Sequence, residues 1–283
     1  MGVTEPFDLR GKTWSVVTSR SEMIAHIVLA HPERNSFNGL LADTTQAELS
    51  AAGWEITFAD LYGMGFDPCE APGHYETRAD AERFHAQTEQ RFHADQGTTP
   101  ADVAQQIEQI LACDLLVVHF PLWWFGMPAI LKGWMDRVFV YGSMYRSAMR
   151  YDAGLCAGKK MLACVTTGAS ADSCSFDGRE SDTRLLMWPL LFPFRYLGFD
   201  VLEPEILHGI GGVAFVEGDE DGTTGVDRYT QHWSDQLAGI RDRPTIPYNR
   251  DTDFGDDKRL LPDAPTYSPF VSHSSNVPWE ERS

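Results

Sequence analysis

Basic residues are scarce: 23 Lys and Arg stand against 41 Asp and Glu, for a net charge of −18. Such a surface repels a nucleic-acid backbone and an anionic membrane, so neither is expected as a partner. Long apolar runs are missing too, and none reaches the ~18 residues of a membrane span. The opening MGVTEPFDLRGKTWSVV has no basic segment followed by an apolar run, so no signal peptide is expected. It also lacks the Ser or Thr that myristoylation prefers five residues after Gly2. Cysteine is sparse: five residues, an odd count, with no CxxC spacing. That suits reduced thiols and a cytoplasmic location better than a disulfide framework or a zinc site. His74, His85 and His93 are irregularly spaced among acids, which favours a solvated or ligand-covering segment over a metal site. There is no internal repeat, no GxGxxG and no Walker lysine motif. What is present is 283 residues, 43% hydrophobic and 23% charged, the balance of a soluble globular chain with a sizeable core.

The first 22 residues are mixed in character and read as an arm or an extra strand. IAHIVLA (24–30) is then a continuous apolar run rich in Ile and Val, as expected of a strand buried on both faces. Residues 38–52 read as a helix stopped by Gly53, and WEITFADL (54–61) as the second strand. Thr99-Pro100-Ala101-Asp102 predicts a helix start with Thr99 as the cap and Pro100 at the first helical position. DLLVVHF (114–120), KKMLACVTT (159–167) and FDVLEPEIL (199–207) predict three more strands. Ile130, Leu131, Trp134, Met135, Val138 and Phe139 mark one wide helical face, and a last helix is expected over 226–240. Alternating strands and helices imply a parallel sheet covered on both sides. Five strands suit a flavodoxin-like α/β doubly wound sheet of order 2-1-3-4-5, spanning 23–240. Residues 241–283 carry many prolines and few aliphatics and read as an extended tail, either loose or wrapped over a neighbouring surface.

In such a sheet the ligand belongs beyond the carboxyl ends of strands one, three and four. Those ends lead into three unusual loops. The first, His31 to Asn38, joins a strand to a helix whose free amides can hold a phosphate, with His31 and Arg34 as sources of positive charge; an ordinary capped turn would look similar. The second, Phe120 to Pro128, carries Trp123, Trp124 and Phe125 in a row. Exposed aromatics call for a cover, either a flat ligand stacked on them or a protein interface. The third, Thr166-Thr167-Gly168-Ala169-Ser170, is built of small residues that let backbone amides approach a polar ring edge. Phosphate cradle, aromatic platform and polar-edge loop, in that order, describe a flavin site.

The blocks AHPERNSFN, FPLWWFGMPAILKGWMDRVF, VTTGAS and GFDVLEP resemble the flavodoxin-like NAD(P)H:quinone reductases, the DT-diaphorase group and its bacterial relatives, over about 24–207. The resemblance implies FAD rather than FMN, NADH or NADPH as hydride donor, a quinone as acceptor, and a homodimer. It implies that His31, Ser36, Phe37 and Asn38 hold the pyrophosphate. Pro121, Leu122, Trp123, Trp124 and Phe125 would contact the isoalloxazine, and Thr166, Thr167 and Gly168 its pyrimidine edge. Trp124 and Phe125 would also line the nicotinamide and quinone pocket, with Tyr145 supplied by the partner subunit and Tyr196 as a pocket aromatic. An apolar face around Trp134 and Trp188 is expected to serve the dimer.

This sequence departs from the family at two candidate catalytic positions. Gapless alignment from Thr166 to Trp188 puts Cys174 where well-studied members have a tyrosine, and Glu180 where they have a histidine. A thiol is a poor donor, and an ionised Glu180 would oppose charge on a reduced flavin. The expected activity is a ping-pong, two-electron NAD(P)H:quinone oxidoreduction. The alternatives are a specialised flavin reductase acting on a nitro, azo or natural-product quinone acceptor, and, more distantly, a flavin-loaded redox-sensing or binding dimer.

Overall fold

A computed structural model describes residues 22–213 and 224–273 of the 283. The arm expected over 1–22 lies outside the described residues except for Glu22, as does the tail beyond residue 273. In chain order the elements begin with β1 (Ile24–Leu29), α1 (Phe37–Ala51), β2 (Glu55–Asp60) and α2 (Ala86–Gln96). Next come α3 (Ala101–Ala112), β3 (Leu115–Pro121), α4 (Ala129–Val138), β4 (Lys160–Thr166) and α5 (Thr183–Leu197). The chain closes with β5 (Asp200–Val201), β6 (Glu205–Leu207), α6 (Ile210–Val213) and α7 (Gly225–Ala238). The sheet is parallel in the order β2-β1-β3-β4-β5, with β6 also paired to β4.

The fold follows from strands that are apolar on both faces. Ile24, Val28, Leu116, Val118, Phe120, Met161, Ala163 and Val165 pack with α3, α4 and α5 on one side. Ala25, Leu115, Val117, Leu162 and Cys164 pack with Leu41 and Leu49 of α1 and Trp233 and Leu237 of α7 on the other. Two histidines sit inside this core. Thr57 Oγ1 lies 2.8 Å from His26 Nδ1, and Thr45 Oγ1 lies 3.0 Å from His119 Nε2. The Thr45 hydroxyl donates to Leu41 O and accepts from Trp233 Nε1 as well, which pins α1, β3 and α7 together.

Four expectations need correction. The predicted fifth strand is two short strands, because Pro204 has no amide to donate and Glu203 N turns away to Pro244 O at 2.8 Å. Thr99 does not cap α3: Pro100 takes the cap position with no side-chain bond, and the buried Thr99 hydroxyl has no partner among the described residues. His93 is not in a solvated segment. It is buried in α2, stacked 4.6 Å from Tyr75, with its ring nitrogens at Thr98 Oγ1 and Thr77 O. Trp134 and Trp188 do not form an exposed face. Trp134 is fully buried and donates to Gln106, while Trp188 lies under Tyr248 and Phe270 of the C-terminal segment. That segment is strapped along α5: Tyr248 Oη donates to Trp188 O at 3.1 Å, and Arg195 bonds Asn249 O and Asp152.

Candidate functional site

The carboxyl ends of β1, β3 and β4 meet as expected, and backbone bonds lock them together. Ala30 N donates to His119 O at 2.9 Å, and Leu122 N to Thr166 O at 2.8 Å. The first loop folds over the start of α1. Ser36 caps the helix by accepting from Gly39 N at 3.2 Å, leaving the other first-turn amides without helical partners. Gly39 is needed here, since a Cβ at this position would lie 1.9 Å from Arg34 O. His31 Nδ1 accepts from Glu33 N at 3.0 Å, and its ring centroid lies 6.2 Å from that of Trp123. Arg34 is not turned to the anion site as its position suggested: its guanidinium bonds Asp43 and lies 3.9 Å from Asp60. Asn38 is buried and its Nδ2 donates to Thr166 Oγ1 at 2.9 Å, bridging the first and third loops. Its Oδ1 is buried without a partner among the described residues.

The second loop is a tight reverse turn. Trp123 N bonds Gly126 O and Gly126 N bonds Trp123 O, both at 3.0 Å. The central residues, Trp124 and Phe125, have φ of 50° and 59°, left-handed values that large side chains rarely adopt. Each such residue costs about 1–2 kcal/mol. Trp124 is 96% exposed, Phe125 50% and Trp123 42%. The chain thus holds three aromatics out in water on a strained turn. Pro121 is buried at the end of β3, and Leu122 is partly buried behind the turn.

The third loop is the most firmly held. Thr167 N donates to Leu207 O at 2.9 Å, and Ile210 N to Thr167 O at 3.0 Å. Gly209 N donates to Ala169 O at 2.8 Å, while Gly168 is exposed at the tip. Thr167 Oγ1 donates to Ala169 O at 2.9 Å and lies 3.3 Å from His208 Nδ1. His208 went unnoticed in the sequence, where a lone histidine after a short strand carries no signal. Tyr229 of α7 ties this corner to the first loop: its hydroxyl donates to His208 O and its ring meets Phe37 edge-on at 6.0 Å.

Beyond the third loop the chain makes a series of turns to α5, whose start Asp182 caps by accepting from Arg184 N and Leu185 N. Cys174 is only 6% exposed, with its backbone bonded to Ser170 and Thr183. Glu180 is partly exposed on the same segment, and Phe176 between them is 85% exposed. The rings of Tyr145 and Tyr196 are 5.3 Å apart beside a cavity of about 410 Å³ bordered by α2, α4 and α5. Among the described residues Tyr145 meets Tyr141 and Tyr196 rather than Trp124 or Phe125. Among the same residues no group of His, Cys, Asp and Glu could hold a metal, and no helix is long and apolar enough to cross a membrane.

Fold and site together define a class of protein, and comparison with known proteins agrees. Residues 23–233 match the family described as having a flavodoxin-like fold. NAD(P)H dehydrogenase [quinone] 1 of Rattus norvegicus is 39% identical over 189 residues, covering 66% of this chain and 69% of that protein. Ribosyldihydronicotinamide dehydrogenase [quinone] of Homo sapiens is 38% identical over 182 residues, covering 64% and 79%. A crystal structure from Klebsiella pneumoniae, described provisionally as a quinone reductase, superposes with a TM-score of 0.73 at 28% identity, over 89% of this chain and 96% of that one. The chain belongs to the flavodoxin-like family of NAD(P)H dehydrogenases (quinone), and it is an oxidoreductase whose family implies a flavin and a nicotinamide donor.

Proposed function

We propose that the protein is an FAD-dependent NAD(P)H:quinone oxidoreductase that works by ping-pong as a cytoplasmic homodimer. The observation that carries the reading is the strained Trp123–Gly126 turn, which keeps Trp123, Trp124 and Phe125 exposed at the end of β3. A flat ring system stacked there covers them. The residues present fit a flavin on a second count. The buried Oδ1 of Asn38, without a partner among the described residues, needs a hydroxyl or N–H donor, and a flavin's ribityl chain and ring carry both. Bound here, the flavin supplies two-electron hydride chemistry that no side chain can perform.

The rest falls to this chain's residues. Ser36, Phe37 and Asn38 at the start of α1 hold the pyrophosphate with backbone amides, and His31 flanks it. Pro121, Leu122 and Trp123 support one ring edge. Thr166, Thr167 and Gly168 frame the pyrimidine edge, the Thr167 amide and hydroxyl being held by Leu207 O and Ala169 O. Trp124 and Phe125 line the pocket in which nicotinamide and then quinone are oriented and water is excluded. Tyr145, supplied by the partner subunit, completes the pocket, with Tyr196 as a further pocket aromatic. FAD is favoured over FMN because α7 and the strap continue the chain beyond the sheet, as in the FAD-binding members it resembles.

A second reading keeps the flavin and changes the acceptor. Phe176 stands exposed between Cys174 and Glu180 and would give the pocket mouth an aromatic wall suited to a nitro, azo or natural-product quinone substrate. Rapid mixing tests both readings. Bleaching of the bound flavin by NADH or NADPH, followed by reoxidation with a simple benzoquinone and parallel double-reciprocal lines, is expected. Reoxidation only by bulkier acceptors supports the second reading, and no bleaching with either nicotinamide overturns both.

A further inference from the structure

A row of rings in contact runs beside the cavity bordered by α2, α4 and α5. Tyr141 meets Tyr145 at 5.4 Å, Tyr145 meets Tyr196 at 5.3 Å, Tyr196 meets Tyr151 at 5.1 Å, and Tyr151 meets Phe192 at 6.0 Å. Met135, Phe139 and Leu197 add apolar wall, and the cavity, at about 410 Å³, is large enough for a flat fused-ring molecule. Lys132 and Asp136 at its border neutralise each other in an ion pair. One charge beside these rings is not neutralised. Arg150 lays its guanidinium over the Tyr196 ring, 5.6 Å from the centroid, and its Nη1 donates to Tyr196 Oη at 3.3 Å. Its Nε donates to Ser147 O at 3.2 Å. The second Nη1 hydrogen and both of those on Nη2 are left without an acceptor among the described residues.

The neighbouring arginines are committed, and Arg150 is not. Asp152 holds Arg195, and Asp95 lies 3.7 Å from Arg91 and 3.6 Å from Arg146. Among the described residues no carboxylate pairs with Arg150, and Asp251 attracts it only from beyond contact distance. The turn that presents Arg150 is firmly held. Tyr151 has a left-handed φ of 50°, and across this bend Arg150 and Tyr151 both reach Tyr196. Gly154 packs on the end of α5, where a Cβ would lie 2.2 Å from Leu197 O, and Cys156 N donates to that oxygen at 3.0 Å. Backbone strain is kept here to fix a guanidinium with open hydrogens, the group best suited to receive a planar or tetrahedral oxyanion.

We propose that Arg150 selects the electron acceptor: its guanidinium receives a carboxylate or sulfonate borne on the ring of the quinone, while Tyr145 and Tyr196 receive the ring itself. This deepens the functional reading above and rests on it, because that reading is what brings Tyr145 into the pocket. Tyr145 and Tyr196 touch within one chain, so the subunit that presents Tyr145 presents Tyr196 and Arg150 with it. An anion attached to the ring matches the spacing. The guanidinium lies against the Tyr196 face, about one ring's width away, whereas the phosphates of a nicotinamide dinucleotide stand a ribose or more from its ring. Hydrogens on Nη1 and Nη2 are available together, as charge-assisted binding of an oxyanion requires. Arg150 is a specificity residue in this scheme and takes no part in hydride transfer.

Naphthoquinone sulfonate and menadione, an anionic and a neutral acceptor of similar size, test the proposal with NADH as donor. The readout is the ratio of their kcat/KM values, which does not depend on how much of a variant folds. Arg150→Gln is expected to lower that ratio about tenfold, through KM for the sulfonate, and Arg150→Lys to restore most of it. A second readout needs no turnover: in calorimetry naphthalene sulfonate, which cannot be reduced to a hydroquinone, should bind oxidised Arg150→Gln holoprotein about tenfold more weakly than wild type. A ratio unchanged in Arg150→Gln overturns this inference alone. A variant that keeps the ratio and raises KM for NADPH but not for NADH also overturns it, since the guanidinium then serves the donor's phosphate. A protein whose flavin neither nicotinamide bleaches overturns the functional reading as well.

Discussion

Acidification from pH 7 to pH 5 is expected to lower the unfolding free energy by about 3–4 kcal/mol through two buried histidines alone. Burial pulls His26 down to about 4 and His119 to about 3, from an ordinary 6.5. Both are therefore neutral in the folded chain well below pH 6, while the unfolded chain binds their protons. The stability this represents is complete above pH 6.5 and is lost as pH falls towards about 4 for His26 and about 3 for His119. The effect reaches the site, because His119 precedes Phe120 on β3 and its Thr45 partner also holds Trp233 of α7. Urea denaturation at pH 7 and pH 5, with wild type and the His26→Gln/His119→Gln variant, measures it. The wild type should lose markedly more stability than the variant. Equal losses would show that the two rings do not titrate as their burial requires.

Replacing Trp124 by glycine is expected to move stability and activity in opposite directions. Glycine adopts a left-handed φ without steric penalty, so the substitution relieves about 1 kcal/mol of strain, and the protein should melt no lower than wild type. The indole is almost fully exposed, so its removal leaves no cavity. Turnover should nevertheless fall at least tenfold, because Trp124 lines the pocket for both substrates in the proposed cycle. Paired thermal melts and steady-state assays decide the matter. A variant that turns over like wild type would remove Trp124 from the pocket, and one that melts far lower would show that the turn is not strained.

Much of this architecture can be read from residues alone because the strands are unmixed apolar runs. IAHIVLA and DLLVVHF can be buried on both faces, and such strands require a parallel sheet with helices above and below. The three loops were legible for the same reason, since the sheet order dictates which strand ends converge. What escaped depends on contacts across the chain. Pro204 divides the last strand only because Glu203 finds Pro244. Arg34 looks like an anion ligand until Asp43 and Asp60 are seen beside it. Trp134 and Trp188 read as an apolar face serving a dimer, yet Trp134 is buried and bonded to Gln106 and the C-terminal strap covers Trp188. His208 meets Thr167, 41 residues away, only because β6 pairs with β4.

Equilibrium titration of the protein with FAD and with FMN, followed by flavin absorbance and by quenching of indole fluorescence, tests the central claim most directly. The account predicts a yellow complex at one flavin per chain, tighter with FAD. It also predicts quenching that Trp123→Ala reduces, together with a weaker affinity. A protein that takes up neither flavin, or binds one equally well after the Trp123–Phe125 ledge is replaced by alanines, would contradict it.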